Sequence, residues 1–263
     1  MPGASAENIA ALRLTVAKLE QASPGAAAPA YLPLGLREEH ANPLASGLFR
    51  SALNEIVAAS YRDQAAAIGF AAAVMVRALA SGCGPAVLVT SRYGFADWGR
   101  LYGQGLRRLG LDVGRLILVS ARDDRDALWA IEEVCRAKAG VAVVAGTLAG
   151  DPDLTQSRRL NLAAAGCGAP LLLLRRPRGV AATAAATRWR ISTAAAARDR
   201  FGSLAHSRWQ VDLERSRYGR TGRWLLEWNH VAHRFDLATV VADRPLLRQP
   251  VTVGEEGGRR LTS

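Results

Sequence analysis

Cysteine is scarce: Cys83, Cys135 and Cys167 are the only three in 263 residues. They lie far apart and match no metal-ligand spacing, so reduced structural thiols are expected and no metal. Lysine is scarcer, with Lys18 and Lys138 alone. No stretch approaches the roughly 20 uninterrupted apolar residues of a membrane span, so no membrane association is expected. Met1–Asn8 lacks the basic-then-apolar pattern of a secretion signal, which predicts a cytoplasmic protein. Apolar residues make up 49% and charged residues 22%, too apolar a balance for a mostly disordered chain. The length fits one large domain or two small ones.

What is present in excess is arginine. Basic side chains total 34 against 23 acidic ones, and the surplus is concentrated. Residues 1–50 carry four of each sign, residues 51–174 carry 13 basic and 11 acidic, and residues 224–263 carry five of each. Residues 175–223 carry 12 basic and three acidic. A generally basic composition would not concentrate that way.

Apolar positions Ile9, Leu12, Val16 and Leu19 recur at helical spacing and predict an amphipathic helix over 6–21. The Ala-, Pro- and Gly-rich stretch 22–33 reads as a linker. Apolar runs at 52–58, 86–90, 116–119, 141–145 and 170–174 have strand length. Between them, 63–80, 97–110, 124–138 and 154–166 have helical period. That alternation predicts βαβ units around a mostly parallel sheet flanked by helices. Three further strands are expected at Thr187–Thr193, Arg208–Arg215 and Arg223–His230, the last two joined as an antiparallel hairpin. The division is therefore a helix and linker (1–33), an α/β domain (34–243) and a Pro-, Gly- and charge-rich tail (244–263).

In α/β proteins of this layout, ligands sit at the C-terminal ends of the strands. A nucleotide-binding member would follow its first strand with a Gly-rich loop ending in Lys and a hydroxyl. This chain has Ala58-Ala59-Ser60-Tyr61-Arg62-Asp63-Gln64-Ala65-Ala66 instead. Asp63 puts negative charge where a phosphate needs positive charge, and Ala58, Gln64 and Ala65 offer nothing in its place. The strand ending Ala145-Gly146-Thr147 reaches no acid until Asp151, and Thr90-Ser91 leads to Arg92. Three parts of an ATP site are missing, so neither a cofactor nor catalysis is expected. Gly103-Gln104-Gly105 lacks the third glycine of a dinucleotide fingerprint. His230 and His233 have no further ligand in register. Asp123, Asp124 and Asp126 are explained as a helix cap and first-turn charge.

The segment Ser51–Pro177 resembles the core of RecA-type ATPases with the phosphate loop missing. More closely, the chain resembles the ImuA family of translesion-synthesis-associated, RecA-like accessory proteins. The resemblance is carried by Leu101–Val119 (LYGQGLRRLGLDVGRLILV), Asp126–Ala137 (DALWAIEEVCRA), Leu154–Ala165 (LTQSRRLNLAAA), Thr187–Ile191 (TRWRI) and Arg208–Phe235. It implies an SOS-inducible factor of error-prone lesion bypass. Its partners would be ImuB, a polymerase-like protein without polymerase activity, an error-prone polymerase alpha subunit, and RecA. Cell-division inhibitors of the SulA type and RecA-type DNA-dependent ATPases are alternatives with the same core.

The basic segment then becomes a candidate surface for single-stranded DNA. Its arginines are Arg188, Arg190, Arg208, Arg215, Arg217, Arg220 and Arg223, together with Arg175, Arg176 and Arg178. Trp189, Trp209, Tyr218 and Trp224 are interleaved as stacking platforms. The same alternation equally describes a sheet with tryptophans inside and arginines in solvent. Ile9, Leu12, Val16 and Leu19 form a candidate docking stripe for self-association or a partner, or for the chain's own core.

Overall fold

The computed structural model describes residues 30–34, 36, 48–92, 94, 99, 101–137, 140–177, 182–198, 201–217 and 221–238. The docking stripe Ile9, Leu12, Val16 and Leu19 and the tail 244–263 lie outside them.

Eleven strands are present among the described residues. Two are short: β1 (Tyr31–Leu32) pairs antiparallel with β2 (Leu48–Phe49). The others are β3 (Leu53–Ala58), β4 (Ala86–Ser91), β5 (Leu116–Ala121), β6 (Val143–Thr147), β7 (Leu171–Arg175), β8 (Thr187–Thr193), β9 (Arg208–Ser216), β10 (Gly222–Asn229) and β11 (Arg234–Leu237). These nine form one sheet in the order β11-β10-β9-β8-β3-β7-β6-β4-β5. Pairing is parallel from β8 across to β5 and antiparallel from β8 to β11. The expected mostly parallel sheet with an antiparallel hairpin is what forms.

Among the described residues, four α-helices connect the parallel strands: α1 (Gln64–Ser81), α2 (Gly103–Leu109), α3 (Asp124–Arg136) and α4 (Leu154–Cys167). Helix α1 is apolar nearly all round, as a helix enclosed by the core must be, and it is mostly buried. By length and composition it could cross a membrane, but its apolar surface is spent on the sheet. Arg115 caps its C-terminal turn, donating to the Leu79 and Gly82 carbonyls at 3.0 and 2.6 Å.

Two apolar layers sandwich the sheet. On one face α1 packs with Ile56, Trp189, Ile191, Trp209, Val211, Trp224, Leu226, Trp228 and Phe235. On the other, α3 and α4 pack with Leu53, Val87, Val89, Val144, Leu171 and Leu173. Close approach of α3 to β6 requires Gly146, since a Cβ there would sit 2.5 Å from Ile131 Cδ1. Gly110 ends α2 at φ +104°, a conformation that favours glycine, and donates its N–H to the Arg107 carbonyl at 2.9 Å.

Three expectations need correcting. Tyr31–Leu32 is strand rather than linker, because Leu32 is fully buried and packs into the α1 layer. The fourth parallel strand is Val143–Thr147, two residues later than its apolar run, since Val141 leads in from the loop. Strand β11 has no counterpart among the expected strands; it is reached through a tight turn in which His233 takes φ +48°.

At the sheet's centre lies a buried ionic cluster. The fully buried Glu55 carboxylate on β3 accepts from Arg175 Nη1 on β7, Arg188 Nε on β8 and Thr183 Oγ1, each at 2.8 Å. Arg175 also meets Asp151 at 3.1 Å. Removing the acid takes the buried carboxylate away from two guanidinium groups, and breaking such a pair costs about 3–5 kcal/mol. Glu55→Gln is therefore expected to lower unfolding stability by a few kcal/mol, read as a shift in the urea midpoint; an unchanged midpoint contradicts this account.

Candidate functional site

The phosphate-loop position is filled from within. β3 ends at Ala58, and Tyr61–Asp63 make one 3-10 turn before α1 begins at Gln64. Asp63 accepts from the Thr193 backbone N–H on β8 at 2.8 Å and from the Ser60 hydroxyl at 2.6 Å. Ala59 N–H donates to the Ile191 carbonyl at 2.8 Å. The turn is thus tied to β8 at both ends. Gln64 is buried, and its Oε1 has no hydrogen-bond partner among the described residues. Ala65 points to solvent.

The neighbouring strand ends carry hydroxyls instead of metal-ordering acids. Ser91 closes β4 and Thr147 closes β6; both are buried. The nearby carboxylates are committed elsewhere. Asp151 holds Arg175, and Asp124 accepts from the Ala149 and Gly150 N–H groups at 2.9 and 2.8 Å. Asp123 caps α3, accepting from Asp126 N–H at 2.9 Å. The helix-start reading holds, with Asp123 as the cap and Asp124 and Asp126 in the first turn; the loop-pinning role of Asp124 was invisible in sequence because its partners lie 25 and 26 residues away.

The candidate DNA-contact arginines are divided. Arg188 is 7% exposed and sits on Glu55, which removes it from any phosphate-contacting surface. Arg175 is removed likewise. On the sheet's outer face, Arg190 pairs with Glu214, Arg208 with Glu227 at 2.7 Å, and Arg223 with Asp212 through two bonds of 2.7 and 2.9 Å. Arg215 donates to the Thr183 carbonyl at 2.6 Å, a neutral acceptor that leaves its charge uncompensated by that bond. Arg217 follows β9, its N–H on the Ala186 carbonyl. Arg220, Arg178 and Tyr218 lie outside the described residues.

The stacking expectation fails for the tryptophans. Trp189, Trp209 and Trp224 are at most 9% exposed, buried in the α1 layer. Period-2 alternation sends every tryptophan of β8–β10 to one face and Arg188, Arg190, Arg208 and Arg223 to the other. His230 stacks on His206 and His233 on Trp228, and no cluster of metal-ligating side chains occurs among the described residues.

A mostly parallel sheet between two helical layers, extended by an antiparallel hairpin, defines a RecA-like α/β core; here its phosphate-loop position holds the protein's own carboxylate. The chain is 35% identical over 230 residues to Protein ImuA of two Caulobacter vibrioides strains, covering 81% of this chain and 88% of the relative. It belongs to the ImuA family. No family model matches it.

Burial raises the Asp63 pKa, but the hydrogen bonds from Ser60 and Thr193 outweigh it and hold the carboxyl below its ordinary value. A depressed folded pKa stabilises above the unfolded value, and that contribution is lost as pH falls through the folded one. Asp63→Asn is expected to be less stable than the parent at neutral pH, by about 1 kcal/mol. The gap should close as pH drops below about 4. Thermal melts from pH 3 to 7 check this, and a gap independent of pH refutes it.

Proposed function

We propose that this chain is a non-catalytic accessory factor of damage-induced, error-prone translesion DNA synthesis. Family membership supports a part in the damage-induced mutagenesis system. The observation that carries the non-catalytic reading is the Asp63–Thr193 bond, which presents a carboxylate where a nucleotide's phosphates would lie. The protein would act by assembly, joining an ImuB-type polymerase-like protein, an error-prone polymerase alpha subunit and RecA in the cytoplasm. Self-association would use the apolar stripe Ile9, Leu12, Val16 and Leu19.

Titration with ATP and Mg²⁺ in a calorimeter is expected to give no heat of binding. Each charge-assisted hydrogen bond to phosphate that is missing costs about 1.5–3 kcal/mol, so the absence of several removes micromolar affinity; a micromolar Kd would overturn the reading. Co-expression with the ImuB-type protein should yield a complex on size exclusion, and two separate peaks count against the assembly role.

Single-stranded DNA would meet the end of β9, where Arg215 donates to a neutral carbonyl and Arg217 follows, rather than the ion-paired outer face. Arg215→Gln with Arg217→Gln is expected to weaken oligonucleotide binding and to reduce the log–log salt slope by about 0.7 for each phosphate no longer neutralised. Arg190→Gln serves as the comparison on the paired face. Equal effects of the two sets, or none, would refute this assignment.

A further inference from the structure

The nine-stranded sheet has two outer strands among the described residues, and they are finished differently. β11 carries Arg234 and Asp236, paired with each other at 3.0 Å, and its Phe235 N–H is already bonded to the Leu34 carbonyl at 3.2 Å. β5 reads LILVSA, six residues without a charge or a proline. It runs parallel to β4 in unbroken register from Ala86↔Leu116 to Ser91↔Ala121, so no bulge turns it away. No strand lies on its other side among the described residues. Natural edges are blunted by charge, proline or a bulge, because free N–H and C=O groups recruit another strand. β5 has none of the three.

Its side chains mark which part is open. Leu116 packs in the α1 layer, and Val119 and Ala121 pack in the α3 layer. By alternation Leu118 lies on the α1 side and Ile117 on the α3 side. They are 52% and 49% exposed, one on each face at the rim of the sheet. A docked helix would cover one of these faces. A strand laid along the edge covers both and takes up the backbone groups as well.

We propose that β5 pairs antiparallel with β5 of a second copy of this chain, about a two-fold axis at Leu118, so that two nine-stranded sheets continue as one. Such an axis, normal to the sheet, sets residues of like parity opposite each other. Centred on Leu118, it brings Leu118 onto Leu118 of the second copy and Ile117 onto its Val119. Both half-exposed side chains are then covered by aliphatic ones. Centring on Val119 would set Leu118 against Ser120, and centring on Ile117 would leave Ser120 and Ala121 unpaired. The charges at the ends of the strand choose the direction. Exposed Asp112 precedes β5, and Arg122, its side chain 78% exposed, follows it. An antiparallel copy carries each Arg122 toward the Asp112 of the other chain, whereas a parallel one sets like charges side by side. This contact is separate from the stripe Ile9, Leu12, Val16 and Leu19.

The test uses the full chain with exposed Cys83 replaced by serine. Leu118→Cys in that background, oxidised with copper phenanthroline, is expected to give a dimer on a non-reducing gel and a 118–118 disulfide by mass spectrometry. Directly opposed residues stand about 4.5–5.5 Å apart at Cα, inside the range a disulfide spans. Ser120→Cys in the same background is the register control. Two copies of residue 120 would lie about 14 Å apart, so cross-linking is expected to fall about tenfold or more. Light scattering on the parent chain should give the mass of a dimer, and Leu118→Lys that of a monomer with the parent's melting temperature. If Leu118→Lys also lowers the melting temperature, the two cysteine variants decide. A monomeric parent, equal cross-linking at 118 and 120, a dimer linked only through Cys167, or a dimer that survives Leu118→Lys would each overturn the proposal.

Discussion

One carboxylate in the middle of the sheet constrains everything around it. Moving Glu55 out of water costs several kcal/mol, offset here only because β7 and β8, the strands on either side, each deliver a guanidinium at 2.8 Å. That requirement fixes register. A slip of β3 by one residue would turn Glu55 into the apolar α1 layer and away from both arginines. It also fixes the connection before β8: Thr183 gives its hydroxyl to Glu55 and its carbonyl to Arg215 on β9. The point where the sheet changes from parallel to antiparallel is therefore held by a chain of polar contacts running from β3 through Thr183 to β9.

The architecture was legible because its signal is periodic. Apolar strand runs alternating with helical segments suffice for βαβ units, and the Arg-Trp-Arg of β8 and the Arg-Trp and Glu-Trp pairs of β10 suffice for those strands. The charge pattern misled for a definite reason. A count over residues 175–223 sees three acids, but the sheet brings Glu55, Asp151 and Glu227 from outside that window onto Arg175, Arg188 and Arg208. Window counts treat charge as local, whereas strand pairing makes it long-range. The one available signal was the alternation itself: arginines spaced by two with tryptophan between must share one face, and Asp212, Glu214 and Glu227 stand at the same parity.

The phosphate-loop position follows the same logic of internal satisfaction. Its backbone and its carboxylate are bonded to β8, a strand whose own place is set by the Glu55 cluster. The missing glycines and lysine were plain in the sequence. That Asp63 is a tie to β8 was not, because its partner is a backbone N–H 130 residues away that carries no side-chain signature.

These commitments divide the core into two ends with different chemistry. At the C-terminal ends of the strands the carboxylates are taken up by N–H groups, a hydroxyl and a guanidinium, and the turn before α1 is anchored twice, while Ser91 Oγ, Thr147 Oγ1 and Gln64 Oε1 have no hydrogen-bond partner among the described residues. At the opposite end, where α3 and α4 finish, the polar groups facing an open cavity against both helices are the Cys135 thiol and two arginines paired with Glu132. A RecA-like frame normally concentrates its reactivity at the first end. Here the carboxylates at that end are consumed in holding β3, β7, β8 and α1 together. Rigidity at the start of α1 suits the assembly role proposed above: a helix start tied to Thr193 presents one fixed face.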